Sequence, residues 1–391
     1  MDFGLSAEQE ALRDAAARFA RERLAPHYQQ REREARIDPA LLREMGELGL
    51  IGISAPEEYG GLGQSSLTAG LVIEQIAYGD FNVSYVQLFG SLVGGLLSQA
   101  EDPAVAEAWV PRMLRGEVLL AGALTEPRGG SDAAAMVVRA DRVGDEYIIN
   151  GEKTSITFSD QADAVLLFAR TGRQQDGARG ISAILVPTDA PGVSRTRFRD
   201  VGTHLIGRGS VFFDNVRVPA GHRVAPEGKG FIKIMQGFDF SRVLIGLQCI
   251  GAAQASLDEA WEYTKERRAF GAPLAQYQGV TFPLAEAETQ LTAARWLCYR
   301  ALWLRDQGLP HTAEAAMCKW WAPKLAYEVI HQCLLTFGHY GYTMDLPHQQ
   351  RMRDTLGLQI GDGTAQIMKL IIARERVGRI AVQYDPANKK A

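Results

Sequence analysis

The chain has 391 residues, 46% of them hydrophobic and 23% charged, a composition ordinary for a folded globular protein with room for two or three cores. A formal net charge of −4 gives no drive toward nucleic acid or an anionic membrane surface. Residues 1–20 show no basic-then-apolar leader and no long uncharged apolar run follows, which predicts a cytoplasmic protein with no membrane partner.

In chain order, Ser6 with Gln9 makes a capping-box pattern, with Leu5 as staple before the face Leu12, Ala16, Phe19. A second helix is predicted over 39–50, ending at Gly49 or Gly52, before a glycine-rich turn over 55–63. Helices resume over 67–78, 84–99 and 103–115. Gly90, Ser91, Gly94 and Gly95 weaken the middle one, so close packing or room for a ligand is expected there. From about residue 119 the pattern changes to short aliphatic runs over 119–124, 147–150, 164–170, 181–187 and 211–218. These predict an antiparallel barrel or sandwich of roughly one hundred residues. After Gly228-Lys-Gly230 helical spacing returns over 232–265, 280–306, 312–335 and 366–382, and 385–391 read as disordered. Helices, then strands, then helices describe an α+β multidomain chain, divided at 1–118, 119–228 and 229–391. No GxGxxG follows a strand and no GxxxxGK[ST] occurs, so neither a Rossmann nor a P-loop site is predicted. The four cysteines fall in no CxxC pair and the seven histidines in no HExxH spacing, so buried thiols are expected and a metal site is not.

Four stretches carry chemistry. Leu124-Thr-Glu-Pro-Arg-Gly-Gly-Ser-Asp132 leaves the first strand as a loop whose backbone N–H groups and hydroxyls suit an anionic or heteroaromatic ligand. Asn150-Gly-Glu-Lys-Thr-Ser-Ile-Thr157 is a turn leading into a strand, with Glu152 and Lys153 read as turn residues. The third runs from Phe238-Asp-Phe-Ser-Arg242 through Tyr263, Arg267, Phe270-Gly271 and Pro273-Leu274 to Gln278. The fourth is Gly361-Asp-Gly363-Thr364, preceded by Phe337-Gly-His-Tyr-Gly-Tyr342 and Arg353-Asp354. It sets one carboxylate between two glycines at the positive end of a helix whose buried face is predicted to be Ile367, Leu370, Ile371, Val377 and Ala381. As a bare sequence feature it equally describes a capped turn.

Together these stretches resemble the acyl-CoA dehydrogenase family over essentially the whole chain and in the right order. The resemblance implies an N-terminal helical domain, a central antiparallel β domain and a C-terminal four-helix domain, usually assembled as a homotetramer. It implies FAD as cofactor, an acyl-CoA thioester oxidised at Cα–Cβ, and electron-transfer flavoprotein as acceptor. Asp362 then stands where the family carries its catalytic base. Leu124, Thr125, Ser131, Ile156 and Thr157 stand at flavin-contacting positions, with Ser131 also near the substrate arm. Arg267, Phe270 and Gln278 match residues that hold FAD across a subunit interface, and Gly338, Thr364 and Gln366 match further FAD contacts. Asp239, Arg242 and Gly363 match substrate contacts, and arginine suits the CoA phosphates through its bidentate grip.

The sequence departs from that family at four places. The base is an aspartate, shorter than glutamate by about 1.5 Å. The branched-chain members' alternative base position, just before Arg242, is Ser241, so Asp362 is the candidate that remains. The bulky ring expected beside the flavin is Ser155, and Ala133-Ala134-Ala135 follow the acidic loop. Leu335 and His339 replace two residues near the FAD pyrophosphate, where His339 offers a donor of its own. A short base with extra room fits a wide acyl group, and the pattern is most similar to cyclohexanecarboxyl-CoA dehydrogenases. Straight- or branched-chain dehydrogenases, a nitroalkane oxidase-type flavoprotein, an enoyl-CoA reductase running the reverse reaction and a non-catalytic scaffold are the rival readings. Arg242 and the intact 124–132 loop favour a thioester among them.

Overall fold

Ser6 accepts from Gln9 N while Gln9 reaches back to Ser6 N, so the expected capping box opens α1 (Ala7–Phe19). This computed structural model describes residues 4–382, so the predicted disordered tail over 385–391 lies outside the described residues. The helical first third continues with α2 (Tyr28–Glu34), α3 (Pro39–Glu47), α4 (Ser66–Gly79), α5 (Ser84–Phe89), α6 (Gly95–Leu97) and α7 (Pro103–Leu114). The predicted single helix over 84–99 is therefore interrupted, by a π-helical turn over Gly90–Gly94. Close packing is the cause at two of its glycines. A Cβ on Gly90 would lie 2.8 Å from Ile51 Cγ2, and one on Gly94 would lie 2.3 Å from Met113 Cε.

The strands are β1 (Leu120–Ala123), β2 (Arg139–Val143), β3 (Glu146–Thr157), β4 (Ala164–Arg170), β5 (Ile181–Pro187), β6 (Val193–Arg195), β7 (Arg208–Pro219) and β8 (Arg223–Val224). They form one sheet in the order β6-β7-β3-β2-β4-β5-β8, with β1 beside β4. The sheet is mixed rather than wholly antiparallel, because β1 runs parallel to β4 and β2 meets β4 in parallel through the pair Arg139–Arg170. The β2–β3 hairpin supplies the long crossover that a parallel β1–β4 pairing requires. Every residue of β4 is buried, as its unbroken Ala-Val-Leu-Leu-Phe-Ala run suggests for a strand covered on both faces. Leu166, Phe168, Ile181 and Leu185 pack in one cluster with Leu96, Val105, Val110 and Met113 from the helices before the sheet. β2, β6 and β8 escape sequence reading because two carry mostly polar residues and β8 has only two residues.

The rest is helical: α8 (Gly230–Glu266), a short β9–β10 hairpin (Arg268–Ala269 and Ala272–Pro273), α9 (Gln278–Asp306), α10 (Thr312–Thr336), α11 (His348–Leu356) and α12 (Ala365–Val377). Two compact units result. One comprises the chain up to Gln30, Ser66–Ser84 and everything from Arg242 on; the other comprises Arg31–Ser65 and Tyr85–Ser241. In the first, a Cβ on Gly70 would strike Leu302 at 2.3 Å and Leu247 at 2.8 Å, which locks α4 against α9 and α8. Polar groups stitch the same unit together. Glu74 accepts from Arg295 Nε and Tyr299 Oη, both at 2.6 Å, and Asp354 accepts from Tyr28 Oη at 2.6 Å and Asn82 Nδ2 at 2.8 Å. All four cysteines are buried and free. Among the described residues no helix is long and apolar enough to cross a membrane.

The predicted buried face of the last helix is corrected. Only Met368 is buried on α12, Val377 is 63% exposed, and the helix stops at Gly378, whose φ of 76° breaks it before Ala381. Ile367, Leu370 and Ile371 of the predicted face are half-buried.

Candidate active site

In the sheet-bearing unit the loop after β1 is held from beneath. Lys153, fully buried on β3, donates to Leu124 O and to Glu126 Oε1, both at 2.8 Å. Glu126 in turn accepts from Val137 N at 2.7 Å and Val138 N at 2.9 Å, so one carboxylate closes the loop at both ends. Lys153 therefore is not the turn residue the sequence suggested, because β3 is a single long strand that carries it inward. Glu152 lies on the same strand and accepts from Ser210 Oγ at 2.7 Å. Burial pushes the Lys153 amine down to about 8 against the pull of Glu126, and Lys153 with the two backbone donors lowers Glu126 against its own desolvation. Arg170, also buried, braces the far side of the loop through Ala134 O at 2.8 Å and Met136 O at 3.0 Å.

Thr154 N donates to Thr125 O at 2.9 Å, which lays the loop along the end of β3. Thr125 is half-buried, Ser131 exposed, Ile156 buried and Thr157 half-buried at its pairing with Arg208 of β7. Among the described residues the hydroxyls of Thr125, Ser131 and Thr157 make no hydrogen bond within the chain, so this loop and strand retain free donors and acceptors for a ring with heteroatoms. Ser155 sits in a register shift between Lys153 and Ile156, exposed and in the left-handed region at φ 57°.

In the other unit Asp362 has φ 55° and Gly363 φ 101°. Aspartate tolerates the left-handed region better than most residues, and Gly363 needs its freedom, since a Cβ there would meet Met368 Cε at 2.5 Å. Thr364 caps α12 by accepting from Ile367 N at 3.3 Å, as its place in the sequence predicted. The Asp362 carboxylate is half-buried and engaged by no hydrogen bond among the described residues, while Gln366 is exposed. Arg242, buried on α8, brings Nη2 to 3.8 Å from where a Gly363 Cβ would stand. Ser241 spends its hydroxyl on Phe238 O at 3.4 Å in its own helix. Asp239, half-buried, lies one turn before Arg242 on α8.

Arg267, Phe270 and Gln278 form a separate group around the β9–β10 hairpin, with Phe270 100% exposed on a left-handed turn. Gly338, at φ 63°, is exposed with open space around it, next to exposed His339 and Leu335. Tyr263 packs, stacking on Phe337 at 4.1 Å between centroids. Sequence reasoning missed Lys319 altogether. On α10 it is fully buried and donates to Leu358 O at 2.6 Å and Gly363 O at 3.0 Å. The available signal was a lone lysine in the otherwise apolar run Ala-Ala-Met-Cys-Lys-Trp-Trp.

A mixed sheet preceded and followed along the chain by helices, and a carboxylate at a helix head beside an arginine, fit a dehydrogenase of the thioester-oxidising type. The family models agree: the acyl-CoA dehydrogenase N-terminal, middle and C-terminal domains match residues 6–117, 121–216 and 228–376. The chain belongs to the acyl-CoA dehydrogenase family, and is an FAD-dependent oxidoreductase of that fold. It is 35% identical to the probable acyl-CoA dehydrogenase YngJ of Bacillus subtilis over 96% of this chain and 99% of that one. It is 36% identical to benzylmalonyl-CoA dehydrogenase of Aromatoleum aromaticum, again over 96% and 99%. The structure of butyryl-CoA dehydrogenase from Megasphaera elsdenii superimposes with a TM-score of 0.92 at 32% identity, covering 96% of this chain and all of that one.

Proposed function

We propose that the chain dehydrogenates a wide, alicyclic acyl-CoA, converting cyclohexanecarboxyl-CoA to cyclohex-1-ene-1-carboxyl-CoA, with Asp362 removing the α-proton. The observation that carries this is Asp362 itself. It is a short carboxylate with no hydrogen-bond partner among the described residues, held on a left-handed backbone with Arg242 beside its loop. The α-hydrogen of a thioester is weakly acidic, so its removal calls for a base placed within about 3 Å of the proton. A side chain about 1.5 Å shorter than glutamate meets that need only if the substrate carbon or the loop sits differently. A ring carbon, broader than a straight chain, suits that geometry. Ser155 and the small side chains of Ala133–Ala135 support the same reading, and so does the similarity to an enzyme named for benzylmalonyl-CoA, also a bulky ester.

FAD, when bound, supplies the acceptor for the β-hydrogen. Leu124, Thr125, Ser131, Ile156 and Thr157 would face its ring, and Gly338, Thr364 and Gln366 would contact it further out. Arg267, Phe270 and Gln278 would reach the FAD of a second subunit, which accounts for a phenyl ring left fully exposed on its own chain. Ser131, Asp239, Arg242 and Gly363 would hold the CoA ester. Electron-transfer flavoprotein would take the electrons, and the assembly would be a homotetramer.

A straight-chain substrate is the second reading, favoured by the likeness to butyryl-CoA dehydrogenase. Turnover of cyclohexanecarboxyl-CoA against butyryl-, octanoyl- and isovaleryl-CoA separates the two. The ring ester is expected to have the highest kcat/KM, and a clear preference for a straight chain sinks the alicyclic proposal.

A further inference from the structure

Lys319 is a buried ammonium with no carboxylate within ion-pair distance among the described residues. Its two hydrogen bonds go to carbonyls instead, at Leu358 and Gly363, and these stand on either side of Asp362. An apolar side chain of similar volume would fill the space without desolvating a charge. The titratable and charged groups facing Lys319 are Asp362 from the loop, and the neutral Cys249 thiol and Arg242 from α8. Burial lowers the amine to about 8, opposed by the charge of Asp362 and reinforced by the cation of Arg242.

The loop itself needs an external brace. Asp362 is a non-glycine residue in the left-handed region at φ 55°, a conformation that surrounding contacts must hold. Gly361 N donates to Gly357 O at 2.9 Å and Thr364 caps α12, but both contacts are local to the segment. Lys319 reaches in from α10 and ties both ends of the segment to a long helix.

We infer that Lys319 is the positioning residue for the base: from α10 its amine clamps the two carbonyls that flank Asp362 and so fixes the backbone that presents it. The inference rests on Asp362 being the base. Neutral lysine keeps two N–H donors, so the clamp outlasts its charge as pH rises past about 8.

Anaerobic flavin reduction by the preferred acyl-CoA ester, followed by stopped flow in the FAD-loaded enzyme, tests it. Lys319→Met is expected to keep FAD and ester binding while reduction slows roughly tenfold to a hundredfold, the scale of a misplaced reacting group. Ester affinity should hold while the reduction rate falls, a split that a merely structural defect would not give. Lys319→Arg, which keeps N–H donors on a long side chain, should recover most of that rate. Should Lys319→Met lose its flavin, Lys319→Gln, shorter and with fewer donors in reach, is expected to slow reduction in the same sense with ester affinity unchanged. A flavin-loaded Met or Gln variant that reduces at the original rate, or one whose rate and ester affinity fall together, overturns the inference. Asp362→Asn distinguishes the two levels. If it still reduces flavin, the base reading itself falls; if it is inactive while the Lys319 variants match the original enzyme, only the inference about Lys319 falls.

Discussion

Asp362 concentrates the chemistry of this chain in one side chain whose backbone conformation is as informative as its carboxyl group. Removing its charge tests it most simply. Asp362→Asn preserves shape, so FAD content and ester binding should persist while flavin reduction drops roughly 10²–10⁴-fold, the usual worth of a general base. Asp362→Glu is less conservative than it looks. Glutamate lacks aspartate's tolerance for the left-handed region, where an ordinary L-residue costs roughly 1–2 kcal/mol, so a lower melting temperature is expected. Its added reach should also raise straight-chain turnover relative to the ring ester, and an unchanged ratio would contradict the link between base length and substrate width. At Gly363 an added methyl collides with Met368 on a backbone of φ 101°, so Gly363→Ala should weaken both stability and ester binding.

Among elements, the loop after β1 depends on an ion pair buried under it. Breaking one partner of such a pair leaves an uncompensated charge and costs about 3 kcal/mol or more, so Lys153→Met should lower the melting temperature by several degrees and loosen FAD. Glu126 has its carboxyl lowered in the folded state, which gives the sign of its pH dependence. Its contribution is present above the ordinary value of 4.5 and is lost as pH falls through the lower folded value. Melting curves of Glu126→Gln should therefore be flatter in acid than those of the original chain. The loop was legible in the sequence because glycines and a proline mark it, and the helix head at Thr364 because capping obeys local rules. Lys153, Arg170 and Lys319 were not legible. Each is a charge carried into an interior by tertiary packing, and a single sequence gives no sign of the carbonyls that receive it. The interrupted helix at Gly90–Gly94 was half legible: its glycines announced a departure, but not the contacts with Ile51 and Met113 that explain two of them.

For the whole molecule, the order helices, strands, helices was readable from periodicity alone, whereas the parallel β1–β4 pairing was not, because strand direction depends on the crossover rather than on composition. Misreading the last helix had a different cause. Among the described residues Ile367, Leu370 and Ile371 are only half-buried, and Val377, Ile380 and Ile360 are 63%, 76% and 67% exposed in the same unit as the fully exposed Phe270. A homotetramer would cover such surfaces, and sedimentation should give four times the chain mass. Arg267→Ala should then release FAD without altering secondary structure; a monomer that retains FAD would contradict the proposed contact between subunits.

The central claim is that Asp362 begins the oxidation of a ring-bearing acyl-CoA. Anaerobic bleaching of the flavin by cyclohexanecarboxyl-CoA, compared between the original enzyme and Asp362→Asn, tests it most directly. Rapid bleaching in the first and none in the second, with FAD and ester bound in both, is the predicted result. Equal bleaching in both would contradict the claim.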